Sequence, residues 1–246
     1  MNLGVLAADV ASEIGMSSTT GTAERSLIDY WLNEAVVDFL TKTKCYVKRF
    51  GMNMAAGVGD YDLPSLILSM KSLAVLPDGG QTVTFLEPVS GRDLLIKRLA
   101  ATSAVGAGPP GYYALEGWNL LMVYPVAASA NDVLMGTYVP RPVTMSADAH
   151  DPATPTYGGI PAEYHPALAN YGKYKAASYD DDSSSRAAAA RRGTVGTPGS
   201  GYLAEYDQQI TRVKGELLRK AGVRLAPARP GGRKKYYPPP GVDALR

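Results

Sequence analysis

Between Thr22 and Lys44 apolar residues recur every three or four positions. Leu27, Ile28, Trp31, Leu32, Ala35, Val36, Phe39 and Leu40 fall on one broad face, the signature of an amphipathic helix. Asp29, Asn33, Glu34 and Asp38 fall largely on the opposite side. Thr22 is placed to cap the start, but Arg25 stands where a capping box needs Glu or Gln. Burying each large side chain of such a stripe is worth about 1.5–3 kcal/mol. One helix cannot bury its own stripe, so the rest of the chain must supply partners.

Three further segments carry helical periodicity. Residues 2–15 place Leu3, Leu6, Val10 and Ile14 on one face, with Gly15 as a stop. Ala162–Tyr179 follows Pro161, which suits a first helical turn. Tyr202–Ala221 aligns Leu203, Tyr206, Ile210, Val213 and Leu217, with Gly222 at the C-cap position. The alanine-rich Arg186–Arg192 also favours a helix, between polar Asp180–Ser185 and glycine-rich Gly193–Gly201.

The middle of the chain changes period. Cys45–Phe50 alternates in part and predicts a strand. Ala55–Gly59 predicts a turn, and Asp60–Pro64 an extended entry. The apolar run Ser65–Leu76 predicts a short helical or irregular piece near Leu66–Leu68, then a strand at Ser72–Leu76. Asp78-Gly79-Gly80 marks a hairpin returning through Thr82–Leu86. Ser90–Leu99 has a capping serine and helical spacing. A Gly/Ala/Pro loop, Ala100–Gly111, precedes three strands at Gly111–Glu116, Trp118–Tyr124 and Val133–Tyr138. Short strands joined by hairpins predict a small antiparallel sandwich or barrel-like sheet. Pro140–Gly159, with its prolines, predicts a long returning loop.

The predicted fold class is therefore α+β: an antiparallel helical bundle with an inserted small antiparallel β domain and an extended C-terminal tail. Residues 1–44 supply the N-terminal helices, 45–142 the β domain, 143–222 the C-terminal helices and 223–246 the tail.

Composition narrows the function. At 246 residues and 46% hydrophobic content the chain can bury a real core. A net charge of +2 gives no global attraction to nucleic acid or an anionic membrane. The single cysteine, Cys45, excludes an intrachain disulfide framework and a cysteine-based zinc site, and fits synthesis in a reducing cytoplasm. It reads as a small buried or half-buried filler. No signal peptide and no membrane-spanning stretch is expected.

No Walker loop, dinucleotide fingerprint, HExxH or nucleophile elbow occurs. Gly106-Ala-Gly108 reads as a loop. His150, in Asp148-Ala-His150-Asp151, reads as part of a solvated Pro-rich loop. His165, beside Glu163 in the first turn of a helix, reads as a capping or interface residue. Asp180-Asp181-Asp182 lacks the glycine and distal glutamate of a calcium loop. No catalytic residue, cofactor site or metal site is expected, and the chain reads as no enzyme. Sixteen tyrosines against two tryptophans and three phenylalanines suit core and contact surfaces, where a ring is buried and its hydroxyl stays wet. Tyr112, Tyr113, Trp118 and Tyr124 offer the alternative of a carbohydrate-stacking strip. Glu87, Asp93 and Glu116 are acids with no evident pairing for hydrolysis.

The tail is locally basic. From Val223 onward Arg224, Arg229, Arg233, Lys234, Lys235 and Arg246 face only Asp243. Arg233-Lys234-Lys235-Tyr236-Tyr237-Pro238 joins charge, aromatics and a polyproline run. It reads as a peptide that orders on a protein partner, with sequence-independent phosphate contact as the alternative.

Several motifs occur together in order: Asp29-Tyr-Trp-Leu-Asn-Glu-Ala35 with Phe39, Gly59-Asp-Tyr-Asp-Leu-Pro64, Pro110-Gly-Tyr-Tyr-Ala-Leu115, Leu121-Met-Val-Tyr-Pro125 and Tyr138-Val-Pro140-Arg-Pro142. Gly159-Ile-Pro-Ala-Glu-Tyr-His165, Tyr171 and Lys175-Ala-Ala-Ser178 complete the series. Over about residues 25–220 this resembles the head–tail connector, or adaptor, proteins of tailed bacteriophages. The N-terminal helix before Ser17 is outside the resemblance. The resemblance implies a helical bundle with an inserted β domain, in a ring usually of twelve copies docked beneath the portal of the filled capsid. It places the protein in the virion neck, with the portal protein and the next neck or tail-completion protein as partners. DNA would pass through the channel on ejection without sequence recognition. The C-terminal segment of such proteins tends to bind the portal, which would give that role to Arg233, Lys234, Lys235, Tyr236, Tyr237 and Pro238. On the bundle, Asp29, Asn33, Asp38, Tyr164 and His165 are the expected subunit-interface residues.

Overall fold

The computed structural model describes residues 1–63, 66–78, 82–100, 109–126, 130–179 and 201–220. Within them the chain is α+β. Helices α1 (Leu3–Ile14) and α2 (Ala23–Thr43) come first. Strands β1 (Lys48–Asn53), β2 (Asp60–Asp62), β3 (Ile67–Leu76), β4 (Thr84–Phe85) and β5 (Glu87–Pro88) follow, then α3 (Gly91–Ala100). Strands β6 (Tyr112–Glu116), β7 (Leu120–Tyr124) and β8 (Val133–Pro140) complete the β part. A 3-10 turn at Ala162–Tyr164 leads into α4 (His165–Tyr179), and α5 is Tyr202–Lys220.

Helix α2 forms where its period predicts. The Thr22 hydroxyl accepts from the Arg25 amide, and Lys44 closes the helix in the left-handed conformation. Ile28, Trp31, Leu32, Ala35, Val36, Phe39 and Leu40 are buried. They share one core with Leu3, Leu6 and Val10 of α1, Leu168 and Tyr171 of α4, and Tyr206, Ile210 and Val213 of α5. Phe39 meets Tyr164 and Tyr206 with ring centroids 6.2 and 6.3 Å apart. Helices from both ends of the described chain thus cover the α2 stripe, as the periodicity demanded.

Two sheets make the β part, one ordered β1-β8-β3-β4 and the other β2-β7-β6-β5. Their inner faces enclose a second core that includes Leu73, Val75, Leu134 and Tyr138 from the first sheet and Tyr61, Tyr113, Leu121 and Val123 from the second. Helix α3 lies on the far side of the second sheet. It buries Leu94 against Ala114 and Met122, with Val89 and Tyr124 alongside. The unit therefore has three layers: sheet, sheet, helix.

Some expectations are corrected. Strand β1 starts at Lys48, not Cys45, because Cys45 and Tyr46 pack against the helical core instead. The Ser65–Leu76 region holds no helical piece among its described residues: Ile67–Leu76 is one ten-residue strand. It bends at two bulges, between Ile67 and Ser69 and between Met70 and Ser72. The sandwich is not wholly antiparallel, since β5 and β6 pair in parallel. The returning strand of the first hairpin shortens to Thr84–Phe85. Gly79, Gly80, the loop interior 101–108, the segment 180–200 and everything from 221 lie outside the described residues.

One close approach fixes a glycine in β8. A Cβ on Gly136 would stand 2.2 Å from the Phe50 ring of the neighbouring strand. Phe50 lies opposite Gly136 and packs edge-on to Tyr138 at 5.8 Å. The missing side chain is what lets that ring cover the end of the inter-sheet core.

Candidate functional site

The polar side of α2 is occupied within the chain. Asp29 accepts from Arg25 Nε at 2.8 Å. Asn33 clamps the backbone of Met145: its Nδ2 donates to the Met145 carbonyl at 3.0 Å, and its Oδ1 accepts from the Met145 amide at 2.7 Å. Glu34 accepts from the Tyr171 hydroxyl at 2.9 Å and from Lys175 at 2.7 Å. Asp38 accepts from the Tyr206 hydroxyl at 2.6 Å and pairs with Lys42 at 2.8 Å.

Similar pairs tie the remaining helices. Tyr164 donates to Glu216, Tyr202 donates to Glu13 at 2.6 Å, and Lys173 donates to Asp9 at 3.0 Å. Burial, then the bonded carboxylate, pushes the Tyr171 hydroxyl up to about 12. The same two causes raise Tyr164, Tyr202 and Tyr206 further. These hydroxyls stay protonated donors at any physiological pH. Tyrosine abundance here is a fastening device: the ring fills the core and the hydroxyl reaches an acid at its rim.

The expected interface residues thus have internal roles. Asp29, Asn33 and Asp38 hold Arg25, Met145 and Tyr206. Tyr164 and His165 are buried in the same chain. Arg233, Lys234, Lys235, Tyr236, Tyr237 and Pro238 lie outside the described residues.

His165 has no surface exposure, and its Nε2 lies 3.0 Å from the Ile160 carbonyl. Burial lowers its pKa, against the opposing pull of the Ile160 carbonyl and Asp151. Above about pH 6.5 the imidazole is neutral in folded and unfolded chains alike. As pH falls below that value, the unfolded chain takes up a proton that the folded chain resists, so stability is lost until the lower folded pKa is passed. Melting temperature measured from pH 7.5 down to 5 is expected to fall more steeply for the native chain than for His165→Gln. Parallel curves would show that His165 carries none of this dependence.

Arg25 is the residue that sequence reading missed. It is almost wholly buried, bonded to Asp29, to the Ser18 carbonyl at 3.0 Å and to Asp148. Burial alone would lower its pKa, but the two carboxylates more than offset that, and the net shift is upward. The available signal was position: Arg25 lies three residues before Ile28, on the extension of the apolar stripe, and four before Asp29.

Through Arg25 and Asn33, α2 straps down the loop between β8 and α4. The same loop serves α1, whose Leu3 and Gly4 amides donate to the His150 and Asp148 carbonyls at 2.7 and 3.1 Å. His150 accepts from the Ser146 and Ala147 amides through Nδ1 and stacks on Tyr157 at 4.3 Å. At the loop's end Gly159 has φ +63°, and a Cβ there would stand 2.7 Å from the Tyr46 ring. The loop, exposed over Ser146–Ala149 and Ala153–Thr156, is also hydrogen-bonded down onto the helical core.

The aromatic strip does not assemble. Tyr113 points into the inter-sheet core. Tyr112 and Tyr124 pair on the other face under α3, where Lys97 lies 4.2 Å from the Tyr112 ring. Trp118 sits in the β6–β7 turn, with the Arg141 guanidinium 4.5 Å from its ring. Two faces and a turn do not make one stacking platform for a sugar. Asp93 bonds its own capping residue, Ser90, at 2.7 Å. Cys45 is half-buried, and burial raises its thiol pKa, which makes it a poor nucleophile at neutral pH. Among the described residues no group of three or more His, Cys, Asp or Glu side chains could hold a metal ion, and no helix is long and apolar enough to cross a membrane. Asp180-Asp181-Asp182 lie outside those residues.

Some large apolar side chains also stay exposed on the described surface. Leu99 is 79% exposed and Phe85 70%, the two most exposed large hydrophobic side chains, and both belong to the β unit. A groove of about 470 Å³ between α3 and the β6–β7 turn is lined by Leu95, Ile96, Leu99, Leu115, Arg92 and Glu116.

The family model described as SU10 adaptor protein matches residues 1–231. The match takes in α1, which the sequence resemblance left out, and stops short of Arg233. No curated protein matches the chain.

Proposed function

The chain belongs to the SU10 adaptor protein family, a family of phage head–tail adaptors, and from that premise we propose that it is the structural ring joining the DNA-filled capsid to the tail. Copies of the chain close into a ring, twelve by resemblance, around the channel through which DNA leaves. The ring docks on the portal and presents its other side to the next neck or tail-completion protein. Residues 1–44 and 143–222 form the bundle, 45–142 the β domain, and 223–246 the segment that orders on the portal through Arg233, Lys234, Lys235, Tyr236, Tyr237 and Pro238.

One observation supports a structural role above others. A helical core built from both ends of the described chain holds out a β unit, and that unit keeps large apolar side chains exposed. An exposed apolar surface on a well-packed scaffold marks a place where another protein sits. The mechanism is geometric: a rigid body, a repeated contact, and a basic peptide whose prolines limit the entropy lost when it orders.

Mass measurement of the purified protein, alone and with portal rings, tests this. The full chain is expected to form a closed ring that binds the portal. A chain ending at Gly222 is expected to keep its fold and lose portal attachment. A stable monomer that neither forms rings nor binds portal would end the proposal.

A further inference from the structure

The two most exposed apolar side chains lie on opposite faces of the three-layer β unit. On one side is α3. Leu94 is turned into the second sheet, so Leu95, Ile96 and Leu99 form a ridge on the outside of the helix, 47, 52 and 79% exposed. On the other side is the outer face of the first sheet. Leu73, Val75 and Leu134 point into the inter-sheet core, so the residues between them point out. Register then places Gly51, Met135, Ala74 and Phe85 side by side across all four strands. Among the described residues no helix packs on this row. It is apolar, with a glycine at one end, the half-buried Met135 and buried Ala74 in the middle and the exposed Phe85 at the other end, and farther along β8 Val139 on the same face is covered by the helical core.

We propose that neighbouring copies of this chain meet head to tail through these two surfaces, the α3 ridge of one copy seating on the outer face of the first sheet of the next. The proposal rests on the ring reading above and names its contact. A ring of identical chains needs two different, mutually complementary surfaces on each chain, because a self-complementary patch closes at a dimer. A convex ridge and a sheet face, both apolar and on opposite sides of one rigid unit, meet that need. At the rims, Glu116, which shares the groove beside α3 with Arg92, can meet Arg49, which stands on the outer sheet face in the row next to Met135, opposite Thr137. Glu116 and Arg49 are exposed, and neither has an ion pair within the described residues.

Head-to-tail contact has a consequence that other contacts lack. Leu99→Glu spoils the ridge and spares the sheet face; Phe85→Glu does the reverse. Each variant alone is expected to run at the single-chain mass of 26.1 kDa. An equimolar mixture retains one intact ridge and one intact face, and is expected to form a dimer that grows no further. Both positions are exposed, so the melting temperatures should match that of the native chain. A second measurement removes dependence on charge. The variant Leu99→Cys, Phe85→Cys, Cys45→Ala is expected to give a ladder of disulfide-linked chains on mild oxidation. Two sheets and a helix separate the new cysteines within one copy, beyond the ~7 Å Cα limit for a bridge. If the native chain assembles and these variants assemble as well, without a ladder, the contact lies elsewhere and the ring reading survives. If the native chain stays a monomer and the ladder is absent, both fall together.

Discussion

Tyr206→Ala is expected to lower the unfolding free energy by about 3–5 kcal/mol, the range for removing a large side chain from a packed core. The side chain has no surface exposure. Its ring lies 5.1 Å from Tyr171 and 6.3 Å from Phe39, so its loss opens a void where α2, α4 and α5 meet. Tyr206→Phe separates the two halves of the effect. The ring stays and only the hydroxyl goes. Asp38 then keeps Lys42 as a partner, so the cost should be that of one bond to a charged group, about 1.5–3 kcal/mol. Urea denaturation of both variants reads the difference directly. Equal losses would mean that the hydroxyl, and not the ring, holds α5 in place.

Most of the helical part was legible because its signal is local. A 3.6-residue period puts Ile28, Leu32, Ala35 and Phe39 on one face whatever lies beyond, and the structure buries them together. The period that failed was in β3. Its first half serves both cores, with Leu68 against the helical one and Ile67 and Met70 in the inter-sheet one, while the second half alternates into the inter-sheet core through Leu73 and Val75. Two bulges shift the phase between the halves. A strand that serves two cores has no single period to read. Strand β1 was misplaced for the same reason, since Cys45 and Tyr46 are apolar for the helical core and not for a sheet.

The polar contacts between elements were not legible, unlike the local pairs Arg25–Asp29 and Asp38–Lys42, and the cause is distance along the chain. Asn33 and Met145 are separated by 112 residues, Asp38 and Tyr206 by 168. Nothing near Asn33, Glu34 or Asp38 says that the Met145 backbone, Tyr171 with Lys175, or Tyr206 will arrive opposite. From sequence they read as a solvated face and a candidate interface. In the structure each also has a partner within the chain, and α3 and the first sheet expose large apolar side chains as well. Leu95, Ile96 and Leu99 were in plain view within the helix expected over Ser90–Leu99. What the sequence could not say is that Leu94 alone would satisfy the second sheet and leave the other three outside.

Asn33→Leu should show how much the strap on the helical core depends on one side chain. Leucine shares the branched skeleton of asparagine, though it is bulkier, but neither donates nor accepts. The buried Met145 would lose the partner of its amide and the partner of its carbonyl in one step. Each unmatched group costs about 1–3 kcal/mol, so a total loss of about 2–6 kcal/mol is expected in urea denaturation. Faster hydrogen exchange at the Met145 amide should accompany it. The exposed neighbour Ser146, changed to alanine, should leave both readings within about 0.5 kcal/mol of native. The exchange measurement carries the weight. A stability loss with Met145 exchange unchanged would mean that leucine disturbs the packing of α2 and that the strap is held by Arg25 and Asp148 alone. If exchange quickens, the contact is the one that fixes the β8–α4 loop against α2. The angle at which each β unit is held out from the helical core, and so the match between neighbouring copies in a ring, then depends on it.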